Sequence, residues 1–349
     1  MDMVSGFWAA MLDLWRRKGL SEDGRDLDIH DLATALGGWS SLAAADRGTL
    51  LELGLRAEVV DRVLRARPLE TRGRAVTLAC SDYPSRLLEW DSPPPVLFVE
   101  GDVSALNRAC VSIVGTRGCS PYGASVAHRI AWACAREGIT VVSGLARGID
   151  THAHQGALAA GGPTVAVLGH GLMHTAPPSN RELRRNIVRR GGAVVSTWPD
   201  PVPPSKQSFP RRNEWIAALG RHLVVIEAPV RSGALHTANL RLNRDTDVYF
   251  VPGPFGDEGW RGSNGLATYG AKPLLDVETL LADLDAQTPL ALRHAGWLGA
   301  VLAGTDLGEA ARVGGMSTVE LMRELTRLEL QGTVVRLPGG RYAPAGEGP

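Results

Sequence analysis

The residues best placed to do chemistry lie where apolar runs break into glycine. Val111-Ser112-Ile113-Val114 is a β-branched run, the pattern of a buried strand, and it opens into Gly115-Thr116-Arg117-Gly118-Cys119-Ser120-Pro121-Tyr122-Gly123. Ser120 before Pro121 predicts a helix start, with a hydroxyl at the N-cap and proline at the first helical position. Strand, glycine loop and helix N-terminus together make an anion seat, because uncapped N–H groups and the positive dipole end face the loop. Arg117 adds a fixed cation whose planar fork suits phosphate. The alternative is a loop that only turns the chain.

A second loop repeats the pattern. Ser143-Gly144-Leu145-Ala146-Arg147-Gly148-Ile149-Asp150 leaves a strand and enters a helix, with Asp150 as the expected cap. Gly144, Arg147 and Gly148 would widen the anion seat beyond one phosphate. His152 and His154 follow, but i and i+2 face different sides of a helix, so packing or hydrogen bonding is expected and no metal. A third stretch is rich in proline and presents Lys206, Phe209, Arg211 and Arg212 within a few residues. Basic groups neutralise phosphates, and a ring gives a base a stacking platform. Phe209 has a second reading, as a plug beneath the helix that follows. A fourth turn places Ser232-Gly233 at a helix start after Glu227, and a fifth runs through Val251-Pro252-Gly253-Pro254 to Gly262-Ser263-Asn264-Gly265. Five such turns at one sheet edge argue together for a polyanion cradle.

The elements that must position these loops are legible as well. Apolar runs at Val111–Val114, Thr140–Ser143, Thr164–Leu168, Ala193–Ser196, Leu223–Ile226 and Val248–Val251 predict strands. Helical stretches at about 123–136, 151–160, 180–190, 212–219 and 234–243 separate them. Short apolar strands alternating with helices predict an α/β fold with a parallel sheet covered on both faces, its ligands at the carboxyl ends of the strands. Residues 1–67 read as short helices, and Pro68 with the polar run 70–74 as a linker. Residues 75–285 form the core. Residues 290–349 read as a small unit in which Ser317-Thr318-Val319-Glu320 is a capping box. Its helix carries Leu321, Leu325 and Leu328 on one face, ends at Gly332, and precedes a hairpin turning at Pro338-Gly339-Gly340. Helices followed by a hairpin suggest a winged-helix-like form.

Composition narrows the classes. The 349 residues are 44% hydrophobic and 21% charged with a net charge of +0, so the chain is globular and has no global field to draw in nucleic acid. Lysine occurs only at 18, 206 and 272, so 34 of the 37 basic residues are arginine, which holds phosphate with paired hydrogen bonds. No apolar run reaches the length of a membrane span, and Met1-Asp2-Met3 lacks a signal peptide's basic region. Cys80, Cys110, Cys119 and Cys134 show no metal spacing and suit a reducing cytoplasmic setting. No Gly-Lys pair exists, which disfavours a phosphate-loop ATPase, and the first loop lacks G-x-G-x-x-G spacing, which disfavours a dinucleotide cofactor. No nucleophile–His–Asp set stands out. No cofactor is expected.

The ordered motifs resemble one family. Ile113-Val114-Gly115-Thr116-Arg117, Ser120, Tyr122-Gly123, Ser143-Gly144, Ala146, Gly148-Ile149-Asp150, Ala153-His154, Phe209-Pro210, Arg212-Asn213, Ser232-Gly233-Ala234-Leu235, Val251-Pro252-Gly253 and Asn264 are similar to those of the DNA-processing protein A (DprA/Smf) family. Ala176, Thr197 and Glu214 depart from its pattern. The resemblance implies an extended Rossmann-like core with a small all-α N-terminal domain and a winged-helix-like C-terminal domain. It implies a cytoplasmic, non-enzymatic homodimer that binds single-stranded DNA in natural transformation, protects it and loads the RecA recombinase, without a membrane partner. By motif, it maps DNA contacts onto Arg117, Lys206 and Phe209 and loop positions onto Gly115, Ser120, Gly144 and Gly148. A small-nucleotide enzyme resembling the phosphoribohydrolases is the alternative that uses the same loops.

Overall fold

The computed structural model describes residues 2–17, 29–244, 247–287, 297–302, 304–313, 316–330, 334–336 and 342–344. Short helices α1 (Gly6–Arg17), α2 (Ile29–Ala35), α3 (Trp39–Ala43), α4 (Arg47–Glu52) and α5 (Ala57–Arg65) open the chain. The stretch after them is not a linker. Strand β1 (Asp2–Val4) pairs antiparallel with β2 (Leu69–Thr71), and the buried Asp200 carboxylate pins the turn beyond it. Asp200 accepts from Thr71 Oγ1 at 3.0 Å and from the Arg72 N–H at 2.6 Å. A buried carboxylate needs such donors, so the polar run that reads as loose is held.

A nine-stranded sheet follows. Its strands are β3 (Arg74–Thr77), β4 (Val96–Gly101), β5 (Cys110–Gly115), β6 (Thr140–Ser143), β7 (Thr164–Leu168), β8 (Ala193–Ser196), β9 (His222–Ile226), β10 (Val248–Phe250) and β11 (Lys272–Pro273). The spatial order is β11-β10-β9-β5-β6-β7-β8-β4-β3; all pairs from β11 to β8 are parallel, and β4 and β3 join antiparallel. The chain builds outward from β5 to β8, then returns to the other flank of β5 as β9. The order therefore reverses between β5 and β9, and open α/β sheets place their crevice there.

Alternation along the strands fixes the layers. Val111, Ile113, Val141, Val224, Ile226 and Tyr249 join one buried cluster. Their neighbours Cys110, Val114, Val142, Leu223, Val225 and Phe250 join the other. A period of two sends successive side chains to opposite faces, so β5, β6, β9 and β10 feed two cores, while the buried apolar residues of β4, β7 and β8 all join the second. One face is covered by α7 (Pro121–Arg136) through Ala127, Ile130 and Cys134, and by α8 (Ile149–Ala159) through Ala153 and Ala157. The other is covered by α10 (Ser208–Leu219) and α11 (Gly233–Leu242), and α6 (Ser85–Leu88) and α9 (Arg181–Arg189) are the remaining α-helices between the sheet's strands up to β10. The N-terminal helices share that second core. Trp15 of α1 meets Trp215 of α10 at 5.6 Å between ring centres, and Trp90 meets Trp215 at 6.4 Å. Each such pair adds about 0.5–1.5 kcal/mol beyond burial.

The C-terminal unit has its own core of Leu298, Leu321, Leu325, Leu328 and Tyr342, set between helices 297–302, 307–313 and 318–330 and an antiparallel pair of strands. The capping box forms: Glu320 Oε2 accepts from the Ser317 N–H at 2.8 Å, and Ser317 Oγ accepts from the Glu320 N–H at 3.3 Å. The expected helix stop at Gly332 and the turn at 338–340 lie outside the described residues.

Candidate nucleic-acid interface

The first loop leaves β5 at Gly115, where a Cβ would stand 2.0 Å from the Ile226 carbonyl and 2.5 Å from Ile149. Only glycine lets β5 and β9 pass this close to α8. Ser120 caps α7 as expected, accepting from the Gly123 N–H at 3.0 Å. The anion at that helix start is the protein's own, however. The Glu227 carboxylate takes the Ser120 N–H on both oxygens at 2.9 Å and the Ser120 hydroxyl at 2.8 Å. Glu227 is buried, directly after β9, with φ of 44°. Holding a residue with a Cβ in that region costs on the order of 1–3 kcal/mol, which the dipole and three donor contacts offset. The helix start where the sequence suggested a phosphate is therefore occupied by a side chain of the chain itself. Arg117, on the same loop, is exposed.

The second loop is tied from within. Gly148 has φ of 72° and lies against the Thr116 carbonyl, and Arg147 is exposed. Asp150 does not cap α8. Gly148 is the N-cap, and Asp150 sits buried one residue into the helix, accepting from the Ala146 N–H at 3.3 Å. Burial pushes its carboxyl up, and the Arg212 guanidinium opposes that shift. Asn180 Nδ2 closes the loop, donating to the carbonyls of Leu145 at 3.0 Å and Ala146 at 3.2 Å.

Arg212 is the main correction to the expected contact set. It is buried, and its guanidinium donates to the carbonyls of Gly144 and Val167 and to Asn213 Oδ1. Gly144 has no side chain because Arg212 fills that space. Burial lowers the Arg212 pKa to about 10, which leaves it charged at neutral pH. It holds the second loop and β7 from below and presents no donor to a strand outside.

His154 is a hydrogen-bonding residue, as expected. Its Nδ1 pairs with Thr164 Oγ1 at 2.7 Å, and that hydroxyl donates to the Val141 carbonyl at 2.6 Å. The ring therefore carries its proton on Nδ1, and Nε2 accepts from the Leu145 N–H at 3.3 Å. Burial, with the nearby Arg212 charge, lowers the His154 pKa to about 3. The folded state binds this proton more weakly than the unfolded state, so the stabilisation is full above pH 6.5 and is lost as pH falls toward 3. Urea titrations between pH 6.5 and 4 should show about 1.4 kcal/mol less stability per pH unit from this residue. His154→Gln should flatten that slope by about one proton. No group of three or more metal-ligating side chains gathers among the described residues.

The exposed face of the rim belongs to the third stretch. Phe209 lies in the first turn of α10, half-buried, with its Cδ1 3.0 Å from where a Gly169 Cβ would stand. It is neither sealed nor free. The Arg117 guanidinium lies 5.2 Å from its ring centre, and that of Arg212 lies 5.9 Å away. Loop one and α10, 92 residues apart in sequence, thus meet as a cation on a ring. Lys206 and Arg211 are exposed beside them. Ser232 caps α11, accepting from the Ala234 N–H at 3.2 Å, and the Gly233 carbonyl accepts from Asn213 Nδ2 at 3.4 Å. The fourth turn therefore touches the middle of α10. Glu227 and the Gly169 contact carry no assigned role in the motif reading. The one signal for Glu227 was an acid placed directly after a fully apolar strand.

A parallel sheet whose switch-point rim carries an arginine over an aromatic ring defines an extended Rossmann-type protein with a polyanion-suited edge. The family model for DNA recombination-mediator protein A matches residues 74–285, and the chain belongs to that family. Protein Smf of Escherichia coli (strain K12) is 36% identical over 276 residues, which is 74% of each chain. The DNA processing protein DprA of Streptococcus pneumoniae is 36% identical over 203 residues, 58% of this chain and 71% of that one. The solved structure of DprA from Streptococcus pneumoniae superposes with a TM-score of 0.62 at 29% identity, covering 80% of this chain and 98% of that one. The structure of DNA processing protein A from Helicobacter pylori, described for its single-stranded DNA binding mode, gives 0.56 at 25% identity, covering 63% and 100%.

Proposed function

We propose that this chain is a non-enzymatic single-stranded DNA-binding protein of transformation, with Arg117, Lys206 and Phe209 as its principal strand contacts. The carrying observation is the exposed Arg117 guanidinium held over the half-buried Phe209 ring. A cation and a π-face at one point suit a phosphate and its base, and single strands offer the unpaired bases that stacking requires. Arg147, Arg211, Gly115, Gly144, Gly148, Ser232 and Gly233 then shape the rim. The family's description as a DNA recombination mediator and the neighbour described for its single-stranded DNA binding mode support this reading. With it we propose protection of incoming strands, transfer to a RecA recombinase, a homodimeric state and a cytoplasmic site of action. None of the described helices is long and apolar enough to cross a membrane. The C-terminal unit, three helices with an antiparallel pair of strands among its described residues, is proposed to be a winged helix. The Glu227 carboxylate favours strand binding over the small-nucleotide alternative, because it occupies the helix start where a mononucleotide's phosphate would sit.

Fluorescence anisotropy with labelled oligonucleotides across a salt series tests the proposal. Affinity for single strands should fall as salt rises, and duplex of the same length should bind more weakly. Each of Arg117→Ala and Lys206→Ala should reduce the slope of log K against log salt by about 0.7, one phosphate on a single strand. Unchanged affinity and slope in both variants would remove the assigned interface.

A further inference from the structure

We propose that the strand path continues from Phe209 to a second stacking platform at Trp198, with Arg16 and Arg211 as its phosphate contacts, so that the N-terminal helix α1 takes part in binding. The inference rests on the single-strand reading above. Trp198 lies two residues beyond β8, half-buried, with the Arg16 guanidinium 4.0 Å from its ring centre. This repeats the Arg117–Phe209 pair one strand along the rim, since Phe209 packs on Gly169 at the end of neighbouring β7. The backbone of Trp198 is fixed: its main-chain N–H donates to Ser196 Oγ at 3.0 Å, and Ser196 Oγ donates to the His170 carbonyl at 2.7 Å.

Arg211 joins the two pairs. It follows Phe209 by two residues, is exposed, and donates to the Arg16 carbonyl at 3.0 Å. Charge selects this direction along the rim. At the opposite end, beyond β10, the exposed Phe255 is followed by exposed Asp257 and Glu258, which repel a phosphate backbone. Past Arg16, the groove between α1 and α5 carries Asp13, Glu58 and Asp61 interleaved with Arg62, Arg65 and Arg67.

The test measures binding of the full chain to an oligothymidylate length series. Trp198→Ala should weaken long strands by about 5- to 150-fold, the effect of one lost stack, and leave the shortest strand that binds the parent unaffected. Trp198→Phe should restore most of the loss. Arg16→Gln should lower the salt slope for long strands by about 0.7, and Phe255→Ala should change nothing. Equal weakening at all lengths, or none, overturns the proposal, as does failure of Trp198→Phe to rescue. Arg117→Ala run alongside separates the two readings. If Arg117→Ala weakens every length and Trp198→Ala none, the extension alone falls. If Arg117→Ala is silent, the rim reading falls.

Discussion

Arg212→Ala is expected to destabilise the core by about 3–5 kcal/mol, the cost of removing one partner from a buried charged network. Three losses coincide. The carbonyls of Gly144 and Val167 lose their donor, Asp150 loses the cation that opposes its burial, and a cavity opens beneath the second loop. A fall in Tm on the order of 10 °C follows for a core of this size. The deficit should depend on pH, and its sign can be worked out. Without Arg212 the Asp150 carboxyl rises further, so its penalty is present at neutral pH and relieved as pH falls through that raised value. His154 moves the same way, because Arg212 is one of the causes that lower its pKa. Urea unfolding of parent and variant at pH 7 and pH 5 should therefore show the larger gap at pH 7. An equal gap at both would mean that Asp150 is not coupled to Arg212.

Phe209→Ala is expected to cost single-strand affinity about 5- to 150-fold, the equivalent of 1–3 kcal/mol for one stacked base. The ring also supports Arg117, 5.2 Å from its centre, so the substitution removes a platform and unseats a phosphate contact together. The double variant Arg117→Ala/Phe209→Ala should then lose less than the sum of the singles, with a coupling of about 0.5–3 kcal/mol. Phe209→Trp should retain binding. Circular dichroism and Tm control for packing, since the ring also lies on Gly169. Additive losses would separate the two residues into independent contacts and contradict the shared platform.

Much of this architecture was legible in the chain. Six of the seven parallel strands and the helices between them stand where apolar runs and turn residues put them, because short β-branched runs buried on two faces have few other solutions. Ser120, Ser232 and the Ser317–Glu320 box behave as their local chemistry requires, since a cap is decided within four residues. The polar run 70–74 was misread for a non-local reason. What holds it is Asp200, more than a hundred residues away.

The site divides along the same line. Sequence alone determined that glycine turns, Arg117, Lys206 and Phe209 would lie at the carboxyl edge of a parallel sheet, because period, caps and composition are local properties. Only the tertiary structure decided which basic groups face outward. Arg212 and Arg117 share a residue type and a motif character, yet one is buried under Gly144 while the other lies exposed near Phe209. Glu227, 107 residues from Ser120, filled the helix start that a phosphate was expected to fill. A helix N-terminus accepts whichever anion the fold delivers, and the topology of the sheet delivers that one.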